Sequence, residues 1–291
     1  MQRKAHAAIR ERLPATLIAG HLSSLWMQPT QGLTQLGVIH AADSGNCKTL
    51  VQHHKNWDAC VAVSQEAYDM VAEKCPSIIQ RTTVILNGVD VPTSIPKRRT
   101  APLRVLVAGR IEQSQKRVLD LPPLLAKMKK LDQYEFIIAG EGEELARLQA
   151  GIQAEAPEAR VQFLGKLNHK ELLKSMKQID VFLLLSAYEG TPMALLESMS
   201  RGCIPVSSTG CGGALPLIES VCPEHLFAPA DTERAARILD KLATTSETTR
   251  QALQRKVYDS LKDSPHTIDV TIQAYIDLIT QVRCLATTHR L

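Results

Sequence analysis

The fold class that the sequence predicts is α/β with parallel sheets, and three observations predict it. Short apolar runs of strand length alternate with helix-forming segments along most of the 291 residues. Residues 180–206 contain two such runs separated by a helix-length stretch, which is the pattern of a βαβ crossover. A proline-rich, basic stretch at residues 91–102 has the composition of a linker and divides the pattern into two series. We therefore expect two domains, each built around a parallel sheet.

The first series covers residues 1–90. Residues 2–12 and 47–57 are helix-forming, and Ser64 is expected to cap a helix that ends near Cys75. The turn pair Asn87-Gly88 closes the series. Strands are expected at residues 15–21, 36–40, 59–63 and 83–86, which places His40 at the carboxyl end of the second strand.

The second series covers residues 103–264, and residues 265–291 are expected to form a final helix. Strands are predicted at residues 103–108, 135–139, 161–164, 180–186, 203–206 and 225–228. Helices are predicted at residues 117–131, 143–155, 168–177 and 232–243, followed by two more. In the final helix an apolar stripe is expected to be core, and it consists of Ile268, Ile272, Tyr275, Ile276 and Ile279.

The segment around Glu189 and Glu197 is the centre of the second series. Thr191 is expected to cap a helix whose first residue is Pro192. Ligands of parallel sheets bind at the carboxyl ends of the strands, and the start of a helix favours an anion. Carboxylates near such a position suit hydroxyl groups, so we expect a ligand that carries both phosphate and hydroxyls.

Composition excludes several other classes of protein. A net charge of +4 with 4% aromatic residues does not favour a nucleic-acid-binding protein. The seven cysteines include no Cys-x-x-Cys pair and are read as reduced thiols. No apolar run approaches the length of a membrane span, so a cytoplasmic location is expected, and weak attraction of the basic groups to anionic membranes stays open. The adjacent pair His53-His54 would point in different directions on a helix and is not read as a metal site.

Several motifs together resemble one known family. Glu189 and Glu197, with seven residues between them in the setting Glu-Gly-Thr-Pro-Met-Ala-Leu-Leu-Glu, resemble the paired-glutamate motif of retaining GT-B-fold glycosyltransferases of family four, the glycosyl transferases group 1. The family's other motifs have counterparts in the same order, and these are Gly109-Arg110 with Lys116, Gly140-Glu141-Gly142 and Phe163-Leu164-Gly165.

The resemblance implies a GT-B fold, in which two Rossmann-like domains face a cleft and the last helix, here 265–291, crosses back to the first domain. It also implies transfer of a sugar, with retention of configuration, from a nucleotide-diphosphate sugar to an acceptor hydroxyl. No metal or other cofactor is implied, because the Asp-x-Asp motif of metal-dependent GT-A enzymes is absent. The acceptor, whether a glycan, a lipid or a small molecule, is not specified.

The resemblance also assigns roles to individual residues. Arg110 and Lys116 would stabilise the leaving diphosphate, because fixed positive charge lowers the barrier to its departure. Glu189 would contact the donor sugar, Glu197 the ribose hydroxyls, and His40 the donor sugar from the first domain. The remaining donor-binding positions implied by the motifs are Gly109, Gly140, Gly142, Gly190, Thr191, Pro192, Met193 and Ala194.

The chain departs from the family pattern at its start. Only 14 residues precede Ala15, where family members carry further strands and a glycine-rich loop. The first sheet is therefore expected to be incomplete, with an edge that an oligomer or another chain could cover. Two alternatives to an active transferase stay open: a non-catalytic donor-binding or assembly subunit, and a GT-B epimerase.

Overall fold

The computed structural model describes residues 13–19, 30–40, 52–98 and 101–288, and the chain divides into two compact units. The first unit combines Met1–Gly88 with Ile268–Leu291, and the second is Val89–Thr267. Within the described ranges, no helix has both the length and the apolar character needed to cross a membrane.

The first unit contains a four-stranded parallel sheet. Its elements are β1 (Ala15–Ala19), β2 (Leu33–Ile39), β3 (Ala59–Ala62), α1 (Gln65–Lys74) and β4 (Thr82–Val84). The strands pair in the order β1-β2-β3-β4. Ser64 caps α1 as predicted, because its hydroxyl accepts a hydrogen bond from the amide of Ala67 at 3.2 Å. The helix expected at residues 2–12, and residues 47–51 of the next, lie outside the described residues.

Both faces of this sheet are covered. One face packs Ile39, Trp57 and Ile78 with α1. The other packs Leu36 and Val38 against Leu278 of the final helix, Ile268–Thr288. The stripe predicted for that helix is only partly core. Tyr275 and Ile279 pack on the sheet, but Ile268, Ile272 and Ile276 are between 44% and 51% exposed. The face of the helix that contacts the sheet is therefore narrower than the apolar spacing predicts.

The second unit is a doubly wound sheet of six parallel strands. The strands are β5 (Leu103–Ala108), β6 (Tyr134–Ala139), β7 (Val161–Gly165), β8 (Val181–Leu184), β9 (Ile204–Ser208) and β10 (Leu226–Phe227). The helices are α2 (Leu121–Lys127), α3 (Leu145–Glu155), α4 (His169–Met176), α5 (Met193–Met199), α6 (Leu215–Val221), α7 (Thr232–Thr244) and α8 (Glu247–Lys262), so the final helix is α9.

The strand order explains where this unit can bind a ligand. The six strands lie in the order β10-β9-β8-β5-β6-β7, so the order reverses between β5 and β8. Two apolar clusters cover the two faces, and buried positions follow one another along most strands, as expected for a sheet between two layers of helices. Loops that leave β5 and β8 at their carboxyl ends diverge to opposite faces and open a crevice, which is the usual ligand position in such sheets.

Residues 91–98, which we expected to be part of a linker, belong to the second unit. Tyr258 Oη donates a hydrogen bond to the carbonyl of Pro92 at 2.6 Å, and Arg98 Nη2 donates to the carbonyl of Arg201 at 2.5 Å. A proline-rich composition indicates an extended chain, but it does not tell whether that chain packs against a neighbour.

Two predicted helix starts are wrong. The helix expected from residue 117 begins as a short 3-10 turn at Val118, and its α-helical part starts at Leu121, because Arg117 adopts a left-handed backbone conformation with φ of 52°. The helix α5 starts at Met193, and Pro192 rather than Thr191 is at the N-cap position, since the Pro192 carbonyl accepts the bonds from Leu195 and Leu196.

Candidate functional site

The loops that follow β5 and β8 meet where the strand order reverses. The amide of Ala187, after β8, donates a hydrogen bond to the carbonyl of Gln115, after β5, at 2.7 Å. This backbone contact joins the loop containing Arg110 and Lys116 to the loop containing Glu189. The structure therefore places these three predicted residues at one edge of the sheet.

Lys116 and Glu189 form an ion pair. Lys116 Nζ lies 2.6 Å from Glu189 Oε1, and the side chains are 21% and 7% exposed. The hydroxyl of Ser186 donates to the same carboxylate oxygen at 2.5 Å. A nearly buried carboxylate with two donors on one oxygen is fixed in position, and it in turn holds the Lys116 ammonium near the mouth of the crevice.

Gln115 connects Arg110 to this pair, and sequence reasoning did not identify it. Its Oε1 accepts a hydrogen bond from Arg110 Nη2 at 2.8 Å, and its Nε2 donates to the Tyr188 carbonyl at 3.2 Å and to Glu189 Oε2 at 3.4 Å. A neutral amide in a polar loop gives no sequence signal, so only the folded geometry reveals it.

Glu112 shapes the loop between Arg110 and Lys116. Its carboxylate accepts hydrogen bonds from the amides of Lys116 at 2.8 Å and Gln115 at 3.0 Å, and from the Ser114 hydroxyl at 2.5 Å. Burial raises the pKa of Glu112, but these hydrogen bonds and the charge of Arg110 outweigh it and bring the pKa below its usual value. An ionised Glu112 therefore orders the backbone that presents the two cations.

Glycines allow the turns after β5 and β6 to touch. A Cβ on Gly140 would lie 1.8 Å from the carbonyl oxygen of Gly109, and one on Gly142 would lie 2.2 Å from that of Ile111. No side chain fits at either position. The contacts that the structure shows for Gly140 and Gly142 are thus with the protein's own backbone, and their predicted contact with a donor stays a prediction.

A second glycine turn, at residues 212–213, contacts the loop that follows β8. The amide of Gly213 donates to the carbonyl of Gly190 at 2.7 Å, and a Cβ on Gly212 would lie 2.1 Å from the Glu189 carbonyl oxygen. Of the side chains next to this loop, Tyr188 is 54% exposed and Met193 36% exposed. The roles predicted for Gly190, Thr191, Pro192 and Met193 are not tested by these contacts.

Glu197 has a partner that the sequence did not predict. His169 Nε2 lies 2.7 Å from Glu197 Oε1, and the side chains are 70% and 12% exposed. Asn168 fixes the first turn of α4 through a capping box with Glu171, so the position of His169 is set by the start of its helix. Spacing along the sequence could not show this pair, because its members are 28 positions apart.

A cavity of about 490 Å³ opens beside these residues at the carboxyl ends of the strands. The glycine turns at Gly109 and Gly140 line one part of the cavity, and the apolar side chains of Leu167, Leu172 and Ala194 line another. Lys166 and Glu141, which pair at 2.8 Å, lie at its polar side together with Arg110. Its mixture of apolar wall and polar rim suits a flat heterocycle attached to a charged group.

His40 belongs to the first unit, where it directly follows β2. All other predicted site residues lie in the second unit. The predicted contact of His40 with a donor sugar stays a prediction. Among the residues that the structure describes, no group of three or more histidine, cysteine or acidic side chains is arranged to hold a metal ion.

Comparison with known proteins identifies relatives of this chain. The model of the family described as glycosyl transferases group 1 matches residues 94–259. The lipopolysaccharide 1,6-galactosyltransferase of Salmonella typhimurium is 32% identical over 155 residues, which are 52% of this chain and 43% of that protein. The glycogen synthase of Mycobacterium tuberculosis is 27% identical over 245 residues, which are 77% of this chain and 59% of that protein. The chain thus spans about half the length of these relatives.

Solved structures show the same fold at lower identity. Anabaena HepE in complex with UDP and glucose matches with a TM-score of 0.73 and 18% identity, over 86% of this chain and 72% of that one. A variant of S. aureus TarM in complex with fondaparinux, alpha-GlcNAc-glycerol and UDP matches with a TM-score of 0.81 and 16% identity, over 94% and 57%. The predicted GT-B fold, with two Rossmann-like parallel-sheet domains, is confirmed.

Proposed function

Because the chain belongs to the glycosyl transferases group 1 family, we propose that it binds a nucleotide-diphosphate sugar and takes part in transferring the sugar to an acceptor hydroxyl. The observation that carries the proposal is the cluster at the reversal of strand order, where the Lys116–Glu189 ion pair is joined to Arg110 through Gln115. Cations that can bind a diphosphate and carboxylates that can bind sugar hydroxyls lie at one edge of the sheet. The two parts of such a donor therefore have binding groups side by side.

The two cations stabilise the leaving group. Transfer breaks the bond between the anomeric carbon and the terminal phosphate oxygen, and negative charge grows on the departing diphosphate. Lys116 has three N–H donors, so it can keep its contact with Glu189 while another N–H reaches a phosphate oxygen. Charges held in place before the reaction cost no reorganisation when the bond breaks.

The two glutamates and the cavity hold the rest of the donor. Glu189 accepts hydrogen bonds from the sugar, and Glu197 accepts them from the ribose hydroxyls while His169 keeps its carboxylate in place. The apolar wall formed by Leu167 and Leu172 faces the nucleobase. The UDP bound by HepE and TarM supports a nucleoside diphosphate as the common part of the donor.

The proposed reaction retains the configuration at the anomeric carbon and needs no metal. The acceptor approaches from the face that the diphosphate leaves, and a phosphate oxygen takes the acceptor proton. No protein base is then required, and Arg110 and Lys116 supply the positive charge that a metal provides elsewhere. The acceptor class stays open, and a cytoplasmic location remains an expectation from the sequence.

Nucleotide binding tests the proposal directly. At about one hundred times its Kd, the preferred member of UDP, GDP and ADP should raise the Tm of the full chain by about 5 °C. Lys116→Ala and Arg110→Ala should abolish most of this rise. The matched control is Arg147→Ala, because Arg147 is 72% exposed on α3 and lies outside the cluster. If all three variants keep the full shift, the proposed site is wrong.

One observation favours a second candidate, a donor-binding subunit that depends on another chain for transfer. The described part of the first unit holds four strands, and Ile18 on its edge strand β1 is 48% exposed. This candidate predicts the same nucleotide shift, with no transfer to any acceptor until the other chain is added.

A further inference from the structure

A second cavity lies at the opposite edge of the same sheet, where β5 and β8 begin. Its volume is about 490 Å³, and it is lined by residues of the second unit. Four cationic side chains line it, against the two acids Asp180 and Glu247. The cations are Lys97, Arg98, Arg250 and Arg255.

Arg98 is one of the partly buried cations of this cavity. Its Nη2 donates to the carbonyl of Arg201 at 2.5 Å and contacts Cys203 Sγ at 3.6 Å. Its Nε and Nη1 are buried, and within the described ranges of the chain they have no hydrogen-bond partner. Buried N–H groups of a charged side chain are rarely left without a partner, because the desolvation is not repaid.

Asp180 supplies one of the negative charges beside these cations. Its Oδ2 is used by the amide of Arg104 at 2.9 Å, and its Oδ1 by Gln254 Nε2 at 3.5 Å. Burial raises the pKa of Asp180 above its usual value, although the hydrogen bond from Arg104 and the charges of Arg98 and Arg250 act in the opposite direction.

The outer cations are engaged only in part. Arg255 Nε pairs with Asp259 at 3.2 Å, and Arg250 Nη1 donates to the carbonyl of Thr245. Glu247, the second acid, accepts a hydrogen bond from Gln251 at 2.8 Å. When Asp259 is counted with Asp180 and Glu247, the four cations face three acids, which leaves a surplus of one positive charge in a concave site, where the field is focused on an incoming anion.

We propose that this cavity is a binding site for a phosphate-bearing ligand. Guanidinium groups match the oxygens of phosphate in a fork geometry, and a phosphate between Arg98 and Arg250 would balance the surplus charge. The volume exceeds that of a bare phosphate, so the ligand is a phosphate ester, either a soluble one or the headgroup of a phospholipid.

This site is separate from the proposed donor site. Six residues of β5 lie between the two edges, which corresponds to about 20 Å. The proposal does not depend on the proposed function, since it uses none of the residues at the carboxyl edge.

Inorganic pyrophosphate is the first probe, used with the Arg110→Ala/Lys116→Ala variant so that it cannot act through the donor site. In this variant, pyrophosphate at about one hundred times its Kd should still raise the Tm by about 5 °C. Adding Arg250→Gln and Arg255→Gln should remove the rise. Adding Arg147→Gln and Arg237→Gln, which remove two exposed arginines elsewhere, should leave it unchanged. The proposal is overturned if pyrophosphate does not raise the Tm of the Arg110→Ala/Lys116→Ala variant. It is also overturned if the rise is the same with either pair of added substitutions.

Arg98 is tested without changing the charge. Arg98→Lys keeps the cation but loses the fork, and pyrophosphate affinity should fall about tenfold in calorimetric titration. Equal affinity in this variant would remove Arg98 from the site and contradict the proposal as stated.

Vesicles distinguish the two sources of phosphate. The wild-type chain is mixed with phosphatidylcholine vesicles, with and without phosphatidic acid, and separated by flotation. Flotation that requires phosphatidic acid and is lost with Arg250→Gln/Arg255→Gln identifies a headgroup site. A pyrophosphate shift without flotation identifies a soluble phosphate ester, and both results support the site.

Discussion

At the scale of single residues, the geometry of the candidate site depends on side chains that position other side chains. Glu112 orders the loop between Arg110 and Lys116, Gln115 joins that loop to Glu189, and His169 holds Glu197. None of these three was a predicted site residue. Their contribution is measurable, because each acts through a contact that one substitution removes.

His169 gives a prediction for nucleotide affinity. His169→Ala leaves the Glu197 carboxylate without its 2.7 Å partner, so Kd for the preferred nucleoside diphosphate should rise about tenfold, the loss expected for one hydrogen bond to a charged group. His169→Gln, which can still donate, should recover part of the affinity in isothermal titration. Lys170→Ala, at the next and exposed position of α4, is the control. An unchanged Kd in His169→Ala would show that the contact does not orient Glu197 for binding.

Glu112 gives a prediction for stability against pH. Its pKa is lower in the folded chain than in the unfolded chain, so its stabilising contribution is complete above the unfolded value of about 4.5 and is lost as the pH falls through the folded value. Glu112→Gln should lower the free energy of unfolding at pH 7 by about 1–2 kcal/mol. The difference from wild type should shrink in urea titrations as the pH falls below about 4.5. Glu158→Gln, at an exposed position, should show no such pH dependence.

At the scale of elements, local sequence sets the strands well and the helix starts less well. Ser64 was a correct cap because a serine hydroxyl can satisfy the first free amides of any helix that follows it. Thr191 was a wrong cap because Pro192 takes the N-cap position of α5. The helix expected from residue 117 starts later because the backbone of Arg117 is left-handed, which an arginine in the sequence does not signal.

The connection between β10 and α7 gives a prediction at this scale. Ala230 is exposed and has φ of 71°, a conformation that costs residues with a Cβ about 1 kcal/mol. Ala230→Gly should therefore raise the Tm by about 2 °C, measured by calorimetry. The opposite control is Ala150→Gly on the exposed face of α3, which should lower the Tm by a similar amount because glycine weakens a helix interior. A lower Tm in Ala230→Gly would contradict the strain argument.

At the scale of the whole molecule, the second unit contains the two cavities discussed above and nearly all the predicted site residues. Since Arg110 and Lys116 are proposed to replace a metal, the Tm shift caused by the preferred nucleoside diphosphate should be the same in EDTA as in Mg²⁺. A shift that appears only with Mg²⁺ or Mn²⁺ would contradict the metal-independent proposal. Arg147→Ala, tested in parallel, should respond to both conditions as the wild-type chain does.

The sequence by itself determined the alternation of strands and helices, the two parallel sheets, the glutamate motif and the family. These follow from local patterns, because apolar periodicity and turn residues act over a few positions. It predicted that Arg110, Lys116 and Glu189 share one edge, since they follow strands of one parallel sheet.

Only the tertiary structure decided which strands are neighbours and which side chains touch. β5 lies beside β8, so Lys116 reaches a carboxylate 73 positions away, and His169 reaches one 28 positions away. The sequence also did not predict that residues 91–98 pack on the rest of the second unit, where they form one side of the cavity around Arg98. Such contacts depend on how helices and strands pack across the whole unit, and no local pattern records that packing.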